Sequence, residues 1–408
     1  MELDFGLDDK YEELLPKITK IPSEGGYPIN LWTIEETNSQ LSYLTHGFFR
    51  YYGKFPSTLA SQLITQYPAP KDGILIDNFS GSGTSLVEAS RRGIKSVGID
   101  INPIAILAGR VKTKLYNVDK LNSDKKTIIS CFNKETRDIK IDIPLEEYLD
   151  KWFFNETIQD IVKLKNILLE LKNIERDFFV LAFFSIIRRI SRAYDGEVRP
   201  HVNKKKKMRE VFSTYIKKVD EMIYSSKELK ENYPNSLNAT TLLIDNRLSY
   251  INNLPSGNYW LAISHPPYLN CFDYIPVYKL ELSWSVGFEW LWDGVLSKDI
   301  SKKELKSWPA KDNIIESYYN GLQHGYRNLY EIQPKGGVLA VVIGDCTING
   351  KLEKVHQKLI DKIQEIGYSI IELNYRTTYY TTGKYSYQNR ANYHGDDEKK
   401  DAIIVFRK

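Results

Sequence analysis

The sequence predicts an α/β fold built on a doubly wound, mostly parallel sheet, and the main observation lies between Ile74 and Ala105. A short apolar strand, a turn with Gly81 and Gly83, a helical stretch and a second strand follow one another there. Asp100 ends the second strand, where a carboxylate can accept hydrogen bonds from two ribose hydroxyls. Apolar strands occur late in the chain as well, which extends the predicted sheet. The glycine turn and Asp100 predict a nucleoside site at the carboxyl edge of that sheet.

The composition is typical of a globular protein and not of a disulfide-rich or membrane-spanning one. The chain has 408 residues, of which 42% are hydrophobic and 26% charged, which is ordinary for a globular protein of one enlarged domain or two domains. Its three cysteines are scattered, so neither a disulfide framework nor a metal site is predicted. The N-terminus is acidic and no apolar run reaches membrane-spanning length. We therefore expect a cytoplasmic protein without a membrane partner.

The turn itself excludes two common nucleotide sites. A dinucleotide fingerprint requires a small residue three positions after Gly83, but Leu86 stands there, and no lysine follows the glycines as a triphosphate loop requires. The remaining pattern, D-N-F-S-G-S-G-T followed by G-I-D-I-N-P, resembles the S-adenosylmethionine site of class I methyltransferases. This resemblance implies S-adenosylmethionine as cofactor, with contacts from Asp77, Phe79, Ser80, Gly81, Ser82, Gly83, Thr84, Asp100, Ile101, Asn102 and Pro103.

A second resemblance lies just before the turn, between Thr45 and Ile64. The pattern H-x-x-x-x-Y-x-x-K-F-P resembles the N-terminal element of amino-group DNA methyltransferases, which closes over the methionine end of the cofactor. An unrelated helix start is the alternative, since proline followed by Ser and Thr is typical of one. The resemblance adds four residues to the expected cofactor site: His46, Lys54, Phe55 and Pro56.

The middle of the chain, residues 111–238, departs from the strand–helix rhythm and is predicted to be a helical insertion. Between Arg188 and Glu210, nine basic and three acidic residues give a local net charge of +6, which favours a phosphate-facing patch over a solvated loop. The late segment from Tyr375 to Lys400 mixes Tyr with basic residues and either contacts DNA or is a polar surface loop. The expected DNA contacts are Arg188, Arg189, Arg192, Arg199, Lys204, Lys205, Lys206, Lys207, Arg209, Arg376, Lys384 and Arg390.

The sheet resumes with a strand that ends at Asp245, which either recognises the adenine amino group of the cofactor or caps a turn. The next strand, Tyr259–Ile263, leads into S-H-P-P-Y. Two prolines cannot continue a strand ladder, so this loop begins at the carboxyl edge, where open α/β sheets bind ligands. A buried strand Val338–Ile343 and a closing antiparallel pair, Tyr368–Asn374 with Ala402–Phe406, complete the predicted sheet.

The loop Ser264–Tyr268 resembles the (Asp, Asn or Ser)-Pro-Pro-(Tyr, Phe or Trp) loop of DNA methyltransferases that modify exocyclic amino groups. In that family, hydrogen-bond acceptors aimed at the amino protons free the nitrogen lone pair, and the aromatic residue stacks on the flipped base. His265 occupies the position where Asp, Asn or Ser is expected, and its neutral imidazole can still accept a hydrogen bond. The expected catalytic residues are Ser264, His265, Pro266, Pro267 and Tyr268.

Methylation at carbon 5 of cytosine is excluded, because that route needs a cysteine nucleophile, normally after a proline, and no cysteine here follows one. The resemblance instead implies transfer to N4 of cytosine in double-stranded DNA, with N6 of adenine as the first alternative. An RNA guanosine amino-methyltransferase and a catalytically degenerate DNA-binding homologue remain further alternatives. A restriction-modification setting implies a cognate restriction endonuclease as partner.

The predicted organisation is a class I methyltransferase sheet with a C-terminal antiparallel hairpin and one helical insertion. We expect an N-terminal cofactor-binding half over residues 1–110, the insertion with the target-recognition region over 111–238, and a catalytic half over 239–408.

Overall fold

The computed structural model describes residues 15–23, 26–34, 40–54, 56–134, 146–269, 274–292, 314–348, 351–378 and 399–408. Its strands are β1 (Lys17–Ile21), β2 (Ile29–Thr33), β3 (Gly73–Asp77), β4 (Lys95–Asp100), β5 (Thr240–Leu243), β6 (Asn258–Ser264), β7 (Val338–Gly344), β8 (Cys346–Ile348), β9 (Lys351–Glu353), β10 (Ser369–Thr378) and β11 (Lys399–Arg407).

Helices surround the sheet. They are α1 (Ser57–Gln66), α2 (Thr84–Arg91), α3 (Pro103–Thr113), α4 (Val118–Lys134), α5 (Glu146–Trp152), α6 (Asn155–Glu170), α7 (Arg176–Ile190), α8 (Val211–Asn232), α9 (Tyr274–Trp284), α10 (Ile314–Ile332) and α11 (Val355–Gln364).

The main sheet has the strand order β1-β2-β10-β11-β7-β6-β3-β4-β5 within the described residues. Strands β3 to β7 run parallel to one another, whereas β11 is antiparallel to both β7 and β10. This arrangement confirms the predicted doubly wound sheet with its closing hairpin. The strand–turn–helix–strand prediction is also confirmed, because β3, α2 and β4 fall where the apolar runs and glycines indicated.

Both faces of the sheet are buried, which explains why its central strands are almost wholly apolar. Along β7, alternate residues join different cores: Leu339, Val341 and Ile343 face one, and Val338, Ala340 and Val342 face the other. Period-two alternation places successive side chains on opposite faces of a strand. The sheet is therefore a rigid central layer whose carboxyl edge is free to carry a site.

The described part of the first 40 residues contains two strands that the sequence pattern did not indicate. Strands β1 and β2 form an antiparallel hairpin, and β2 pairs in parallel with β10. The Asn30 amide donates to Glu372 at 2.8 Å and to Asn374 at 2.7 Å. The hairpin thus depends on partners more than 300 residues away, which local pattern does not reveal.

Helices α4 to α8 lie between β4 and β5 in the chain, where an insertion was expected. They do not form a separate core, because their buried residues join α3 and α9 in one cluster that includes Leu107, Phe183 and Trp284. Helix α7 is buried around nearly its whole circumference, as an all-round apolar helix should be. The boundaries near 110 and 238 stay a prediction.

Candidate cofactor and catalytic cleft

An open cleft of about 1070 Å³ lies at the carboxyl edge of β3, β4, β5 and β6. It brings together three stretches that the sequence singled out: the glycine turn, the residues at the end of β4 and the loop after β6. Its lining residues are Tyr51, Gly53, Lys54, Asn78, Phe79, Ser80, Gly81, Thr84, Asp100, Ile101, Asn102, Ile244, Asp245, Asn246, Arg247, His265, Pro267, Tyr274, Ile275, Leu282, Gly321 and Leu322.

The glycine turn is held to the end of β4 by backbone hydrogen bonds. The Asp100 carboxylate accepts from the Gly81 N–H and from the Asn102 N–H, both at 2.8 Å. Gly83 has a φ of +82° and a side chain there would lie 2.9 Å from the Gly109 Cα of α3. Only glycine satisfies both conditions without strain. The motif is therefore required by close packing of the turn on α3.

Asn102 and Pro103 have a local structural explanation. The Asn102 side chain accepts from the Ile104 N–H at 3.0 Å and caps α3, and Pro103 occupies the first turn of that helix. Proline is favoured there because its missing N–H would have no helical partner. Asn102 also lines the cleft, whereas Pro103 is buried.

Asp77 lies beneath the turn and not on its surface. Its carboxylate accepts from the Phe79 N–H at 3.1 Å and from the Ser85 hydroxyl. Burial raises the pKa of Asp77 to about 7, against the lowering effect of those hydrogen bonds. Asp77, like the buried Ser82 and Gly83, shapes the turn without lining the cleft.

Asp100 differs because it does line the cleft. Burial raises its pKa to about 6, and the N–H groups of Asn102 and Gly81 oppose that rise. A carboxylate held in this way keeps its geometry while its outer lone pairs can accept further hydrogen bonds. This position is compatible with the ribose-binding role implied by the sequence, which stays a prediction.

The segment before α1 contributes Tyr51, Gly53 and Lys54 to the cleft wall. The Tyr51 ring packs against the glycine turn, since a Cβ on Gly81 would lie 2.8 Å from it. Pro56 precedes α1 as its N-cap residue and is not part of the wall. The prediction for Phe55 lies outside the described residues.

The structure places His46 away from the cleft, and its predicted cofactor contact stays a prediction. It is 1% exposed, lies outside the cleft lining, and its Nε2 is 2.8 Å from the Glu88 carboxylate. Burial lowers the pKa of His46 to about 4 in spite of that carboxylate, so the ring is neutral and donates to Glu88. The physical reason is that Glu88 of α2, fully buried, recruits every nearby donor: Tyr43, His46, Ser61, Arg91 and Arg92.

Asp245 lines the cleft as predicted, but its carboxylate already has partners. It accepts from the Arg247 N–H at 2.9 Å and from the Arg247 Nε at 2.8 Å. The turn-capping alternative is therefore realised in the structure, and recognition of an adenine amino group stays a prediction. Arg247, which lines the cleft beside Asp245, was missed because a lone arginine after a turn carries no motif.

The loop after β6 places His265 and Pro267 in the cleft. The His265 Nε2 lies 3.2 Å from the Tyr268 hydroxyl, and the two rings meet edge to face at 5.2 Å. The Pro267 carbonyl accepts from the Tyr318 hydroxyl of α10 at 3.1 Å. The loop is thus fixed both by its own side chains and by a helix beneath it.

The remaining loop residues do not line the cleft. Ser264 is completely buried as the last residue of β6, with its Oγ 3.2 Å from the Tyr326 hydroxyl. Pro266 is buried as well, and Tyr268 is partly buried beside His265. Of the two candidate polar side chains at the start of the loop, His265 is therefore the one that faces the cleft.

Three tyrosines that sequence reasoning did not assign form a stack beside this loop. Tyr51 and Tyr278 lie 5.1 Å apart at 20°, and Tyr51 and Tyr274 lie 6.2 Å apart at 22°. The Tyr278 hydroxyl also accepts from the Tyr52 N–H at 2.5 Å. Tyr51 was inside the H-x-x-x-x-Y-x-x-K-F-P pattern, so that pattern held a signal for it. Together these rings join the N-terminal segment to α9, next to the catalytic loop.

Two buried amides show that the cleft suits a nucleoside cofactor. Both polar atoms of the Asn78 side chain, and both of Asn246, are buried without a hydrogen-bond partner in the described part of the chain. Both residues line the cleft. Buried amides without partners are rare in proteins, and each offers a donor and an acceptor to a ligand. The cleft residues therefore fit the polar edges of an adenosine.

In the basic segment between Arg188 and Glu210, some charged side chains lie at the surface and others lie in the interior. Arg188 is 6% exposed, and its guanidinium donates to the carbonyls of Glu197 and Val198 at 3.0 and 2.9 Å and to that of Val277. Lys206 donates to the Ala193 carbonyl at 2.6 Å, and Arg376 is buried against Asp401. The charged groups of these three residues are engaged inside the protein, which disfavours the phosphate contacts predicted for them.

The other described members of that set are exposed or half-buried, and one of them, Arg209, pairs with Asp195 at 2.9 Å. Arg192 is half-buried, and its N–H and guanidinium reach carbonyls of α5. Lys384 and Arg390 lie outside the described residues. The exposed basic residues of the segment are Arg189, Arg199, Lys204, Lys205, Lys207 and Arg209.

The fold and the cleft define the class of the protein. A parallel sheet closed by an antiparallel hairpin, with a glycine turn and an acidic residue at the ends of adjacent strands, is the class I S-adenosylmethionine-dependent methyltransferase fold. The family model for DNA methylases of the N6/N4 type matches residues 10–108, which include the glycine turn. That part of the chain is therefore similar to N6/N4 DNA methylases, and S-adenosylmethionine is the cofactor of the chain.

Two curated relatives of the chain are type II methyltransferases. The chain is 28% identical over 206 residues to the type II methyltransferase M.MvaI of Kocuria varians, a match that covers 47% of this chain and 43% of the relative. It is 26% identical over 319 residues to the type II methyltransferase M.BsoBI of Geobacillus stearothermophilus, covering 67% of this chain and 60% of the relative. The match thus spans less than two thirds of either relative.

Among solved structures, the rRNA methyltransferase AviRa of Streptomyces viridochromogenes is 11% identical, with 91% of this chain and 94% of that chain covered and a TM-score of 0.37. That similarity is too low to support a functional comparison. In the part of the chain that the structure describes, none of the helices has the length and apolar character needed to cross a bilayer.

Proposed function

We propose that the chain transfers a methyl group from S-adenosylmethionine to an exocyclic amino group in double-stranded DNA, with N4 of cytosine as the preferred acceptor. One observation carries the proposal: the S-H-P-P-Y loop and the glycine turn, far apart in sequence, line one cleft. A donor site and an acceptor site that share a cleft allow direct transfer, because the reacting atoms can be held in line.

S-adenosylmethionine supplies an electrophilic methyl group on its sulfonium. The chain supplies orientation, with Asp100 and the turn on one wall and His265 with Pro267 on the other. The amino nitrogen of a base is a poor nucleophile, since its lone pair is delocalised into the ring. A hydrogen-bond acceptor directed at its protons favours the form in which that lone pair is free.

His265 is the side chain proposed for this acceptor role. It faces the cleft, whereas Ser264 is buried against Tyr326. When the His265 Nε2–H donates to the Tyr268 hydroxyl, the tautomer of the imidazole is fixed with Nδ1 as its acceptor, and the ring is held at the loop. Its neutral form is required, since a protonated imidazole has no acceptor.

The DNA surface is proposed to be the exposed part of the basic segment, which lies near the cleft mouth. Arg50 donates to the Asp195 carbonyl at 2.7 Å and Tyr52 donates to the Glu197 carbonyl at 3.0 Å. These two residues flank Tyr51, which lines the cleft. A duplex bound by the exposed lysines would therefore lie close to the proposed transfer site.

The choice of N4 of cytosine over N6 of adenine rests on the resemblance to Ser-Pro-Pro-Tyr enzymes. A restriction-modification setting with a cognate endonuclease is proposed on the same resemblance and on the two type II relatives.

Modified-base sequencing of DNA from cells that express the chain tests the proposal, together with mass spectrometry of the nucleosides. We expect N4-methylcytosine at one fixed sequence motif. His265→Ala should remove it, and the matched control His324→Ala, an exposed histidine of α10, should not. N6-methyladenine instead would overturn the preferred base, and unmodified DNA despite measurable cofactor binding would overturn the activity.

A further inference from the structure

The S-H-P-P-Y loop cannot be held by the sheet ladder. Strand β6 ends at Ser264, which pairs with Val341 of β7. Pro266 and Pro267 have no N–H and so cannot continue that ladder. The backbone carbonyls of the loop and its remaining N–H groups still need hydrogen-bond partners where they are buried. Those partners must come from outside the sheet.

Helix α10 supplies two of these partners through buried tyrosines. The Tyr326 hydroxyl lies 3.2 Å from the Ser264 Oγ, at the start of the loop. Tyr318, eight residues earlier in the same helix, donates to the Pro267 carbonyl at 3.1 Å. Both tyrosines are completely buried. Side chains of one helix therefore hold the loop at its first residue and near its end.

The Tyr318 hydroxyl contacts the backbone on both sides of Tyr268. It donates to the Pro267 carbonyl, and the Leu269 N–H is hydrogen-bonded to the same oxygen. Burial raises the pKa of Tyr318 well above its ordinary value, and the hydrogen bond from Leu269 opposes that rise. The hydroxyl therefore keeps its proton and can both donate and accept. A single side-chain oxygen thus restricts the backbone of Tyr268.

The position of Tyr268 affects the cleft through His265. The His265 Nε2 lies 3.2 Å from the Tyr268 hydroxyl, and the two rings meet edge to face. His265 lines the cleft, whereas Tyr268 does not. A shift of the Tyr268 backbone would therefore move the imidazole that faces the ligand. Small misplacements of a group that orients a reacting atom lower the rate of reaction steeply.

We propose that Tyr318 is a positioning residue for methyl transfer: its hydroxyl fixes the backbone on both sides of Tyr268, and Tyr268 in turn fixes the His265 imidazole in the cleft. The acceptor role of His265 rests on the proposed function. Tyr318 is not part of the cleft lining, so it acts through the loop. Loss of its hydroxyl should slow transfer without weakening cofactor binding, because the glycine turn and Asp100 belong to a different wall.

Two matched variants test the proposal. Tyr318→Phe removes the hydroxyl and leaves the ring in the core. Tyr259→Phe is the control, because Tyr259 lies near the start of β6, is buried and donates to the Pro255 carbonyl at 2.5 Å. Each substitution removes a hydrogen bond from a buried tyrosine to a proline carbonyl, one at each end of the same strand. A general effect of losing such a bond would appear in both variants.

The first measurement separates transfer from binding. Single-turnover methylation of duplex DNA that carries the modified motif gives the transfer rate, and titration calorimetry with S-adenosylhomocysteine gives the affinity of the full chain. We expect Tyr318→Phe to lower the rate at saturating cofactor roughly tenfold or more. Its affinity for S-adenosylhomocysteine should stay within about twofold of wild type, as for distant sites without shared partners. Tyr259→Phe should keep both values.

The second measurement is amide hydrogen exchange at Leu269, which needs no methylation activity. The Leu269 N–H should be protected in the wild-type chain and should exchange roughly fivefold faster in Tyr318→Phe, as expected for the loss of one hydrogen bond. Tyr259→Phe should exchange as wild type does. Should Tyr318→Phe fail to fold, the wild-type chain decides: protection of this amide would support the contact, and fast exchange would overturn it.

A wild-type transfer rate in Tyr318→Phe would overturn the positioning role, and so would unchanged exchange at Leu269. An equal loss of transfer rate and of S-adenosylhomocysteine affinity would overturn it as well, because it would show a purely structural role. These results leave open no question about the wild-type chain itself, whose methylation of DNA is measured first. If the wild-type chain leaves DNA unmodified, the proposed function is overturned, and exchange at Leu269 still decides whether Tyr318 holds the loop.

Discussion

The glycine turn and the basic segment from Arg188 to Arg209 use their polar groups in opposite ways. In the turn, Asp100 binds backbone N–H groups and so fixes atoms that face the cleft. In the basic segment, Arg188 and Lys206 turn inward and bind carbonyls of the protein itself. The comparison teaches that residue spacing predicts geometry, whereas a run of like charge does not predict the direction in which each side chain points.

The largest expected effect comes from Arg188→Met. It would leave the buried Glu281 carboxylate, 3.5 Å from the Arg188 Nε, without its cation, together with the carbonyls that Arg188 binds. Breaking a buried ion pair costs about 3–5 kcal/mol of unfolding free energy. Chemical denaturation measures the loss.

The neighbouring Arg189→Met serves as the control, since Arg189 is exposed. Its unfolding free energy should stay within about 0.5 kcal/mol of wild type, while its affinity for duplex DNA falls. Should Arg188→Met be as stable as wild type and lose only DNA binding, the division of the segment into interior and surface would be wrong.

Gly83→Ala should destabilise the protein less than Arg188→Met does, but it should affect ligand binding more directly. The new Cβ would stand 2.9 Å from the Gly109 Cα at a φ of +82°. A residue other than glycine in that conformation costs about 1–3 kcal/mol. Thermal unfolding and calorimetry with S-adenosylhomocysteine should show both reduced stability and weakened binding.

Gly196→Ala provides the comparison from the basic segment, because no atom lies within 4 Å of a Cβ built there. We expect stability and cofactor affinity to remain at wild-type values. Equal effects of the two substitutions would contradict the packing requirement inferred for the turn.

The pH dependence of cofactor binding should report on Asp100. Its pKa is raised to about 6, so the carboxyl is charged above that pH and becomes neutral below it. If the charged form binds the ribose hydroxyls, affinity for S-adenosylhomocysteine is full at pH 7.5 and falls as pH decreases through 6. At pH 5 only about one tenth of the group is ionised, which predicts a loss of roughly tenfold.

Asp100→Asn should bind weakly and show little of this pH dependence. Burial also raises the pKa of Asp77, to about 7, so a residual slope in the variant would be assigned to that group. A pH profile that is identical in wild type and Asp100→Asn would remove Asp100 from the binding site.

The smallest effect is expected for single exposed lysines. Substitution of Lys205 by Gln should lower the salt dependence of DNA binding by about 0.9 in the slope of log K against log salt, because one phosphate contact is lost. Lys206→Gln is the matched control, since its side chain is 8% exposed and pairs with Asp195. Its slope should stay at the wild-type value, and equal slopes for both variants would contradict the assignment of Lys205 to the DNA surface.

Sequence reasoning predicted the central sheet because its signals are local. Apolar runs, glycines and the double proline mark the ends of β3, β4 and β6 without reference to any distant partner. The same holds for the helix start at Asn102-Pro103, which contains its own capping hydrogen bond. Much of the cleft follows from these features, since neighbouring parallel strands place their carboxyl ends side by side.

The features that sequence reasoning did not foresee concern residues whose partners are far away in sequence. The β1–β2 hairpin pairs with β10, and His46 contacts Glu88, which lies 42 residues later. Arg188 belongs to a helix that is apolar all round, and this was the available sign that it would be buried. Asn78 and Asn246 were missed because an unpartnered amide is recognised only when its surroundings are known.

The side chains that donate to Glu88 affect the free energy of ligand binding in the cleft. A single carboxylate joins the 3₁₀ turn at His46, helix α1 and helix α2. The segment that carries Tyr51 and Lys54 runs directly from that turn into α1, so both ends of this cleft wall are anchored. Because this cleft wall is ordered in the folded protein, its ordering adds no entropic cost to the free energy of ligand binding. The cofactor therefore meets a surface that is already in place, and its association is expected to depend on diffusion and desolvation instead of loop closure.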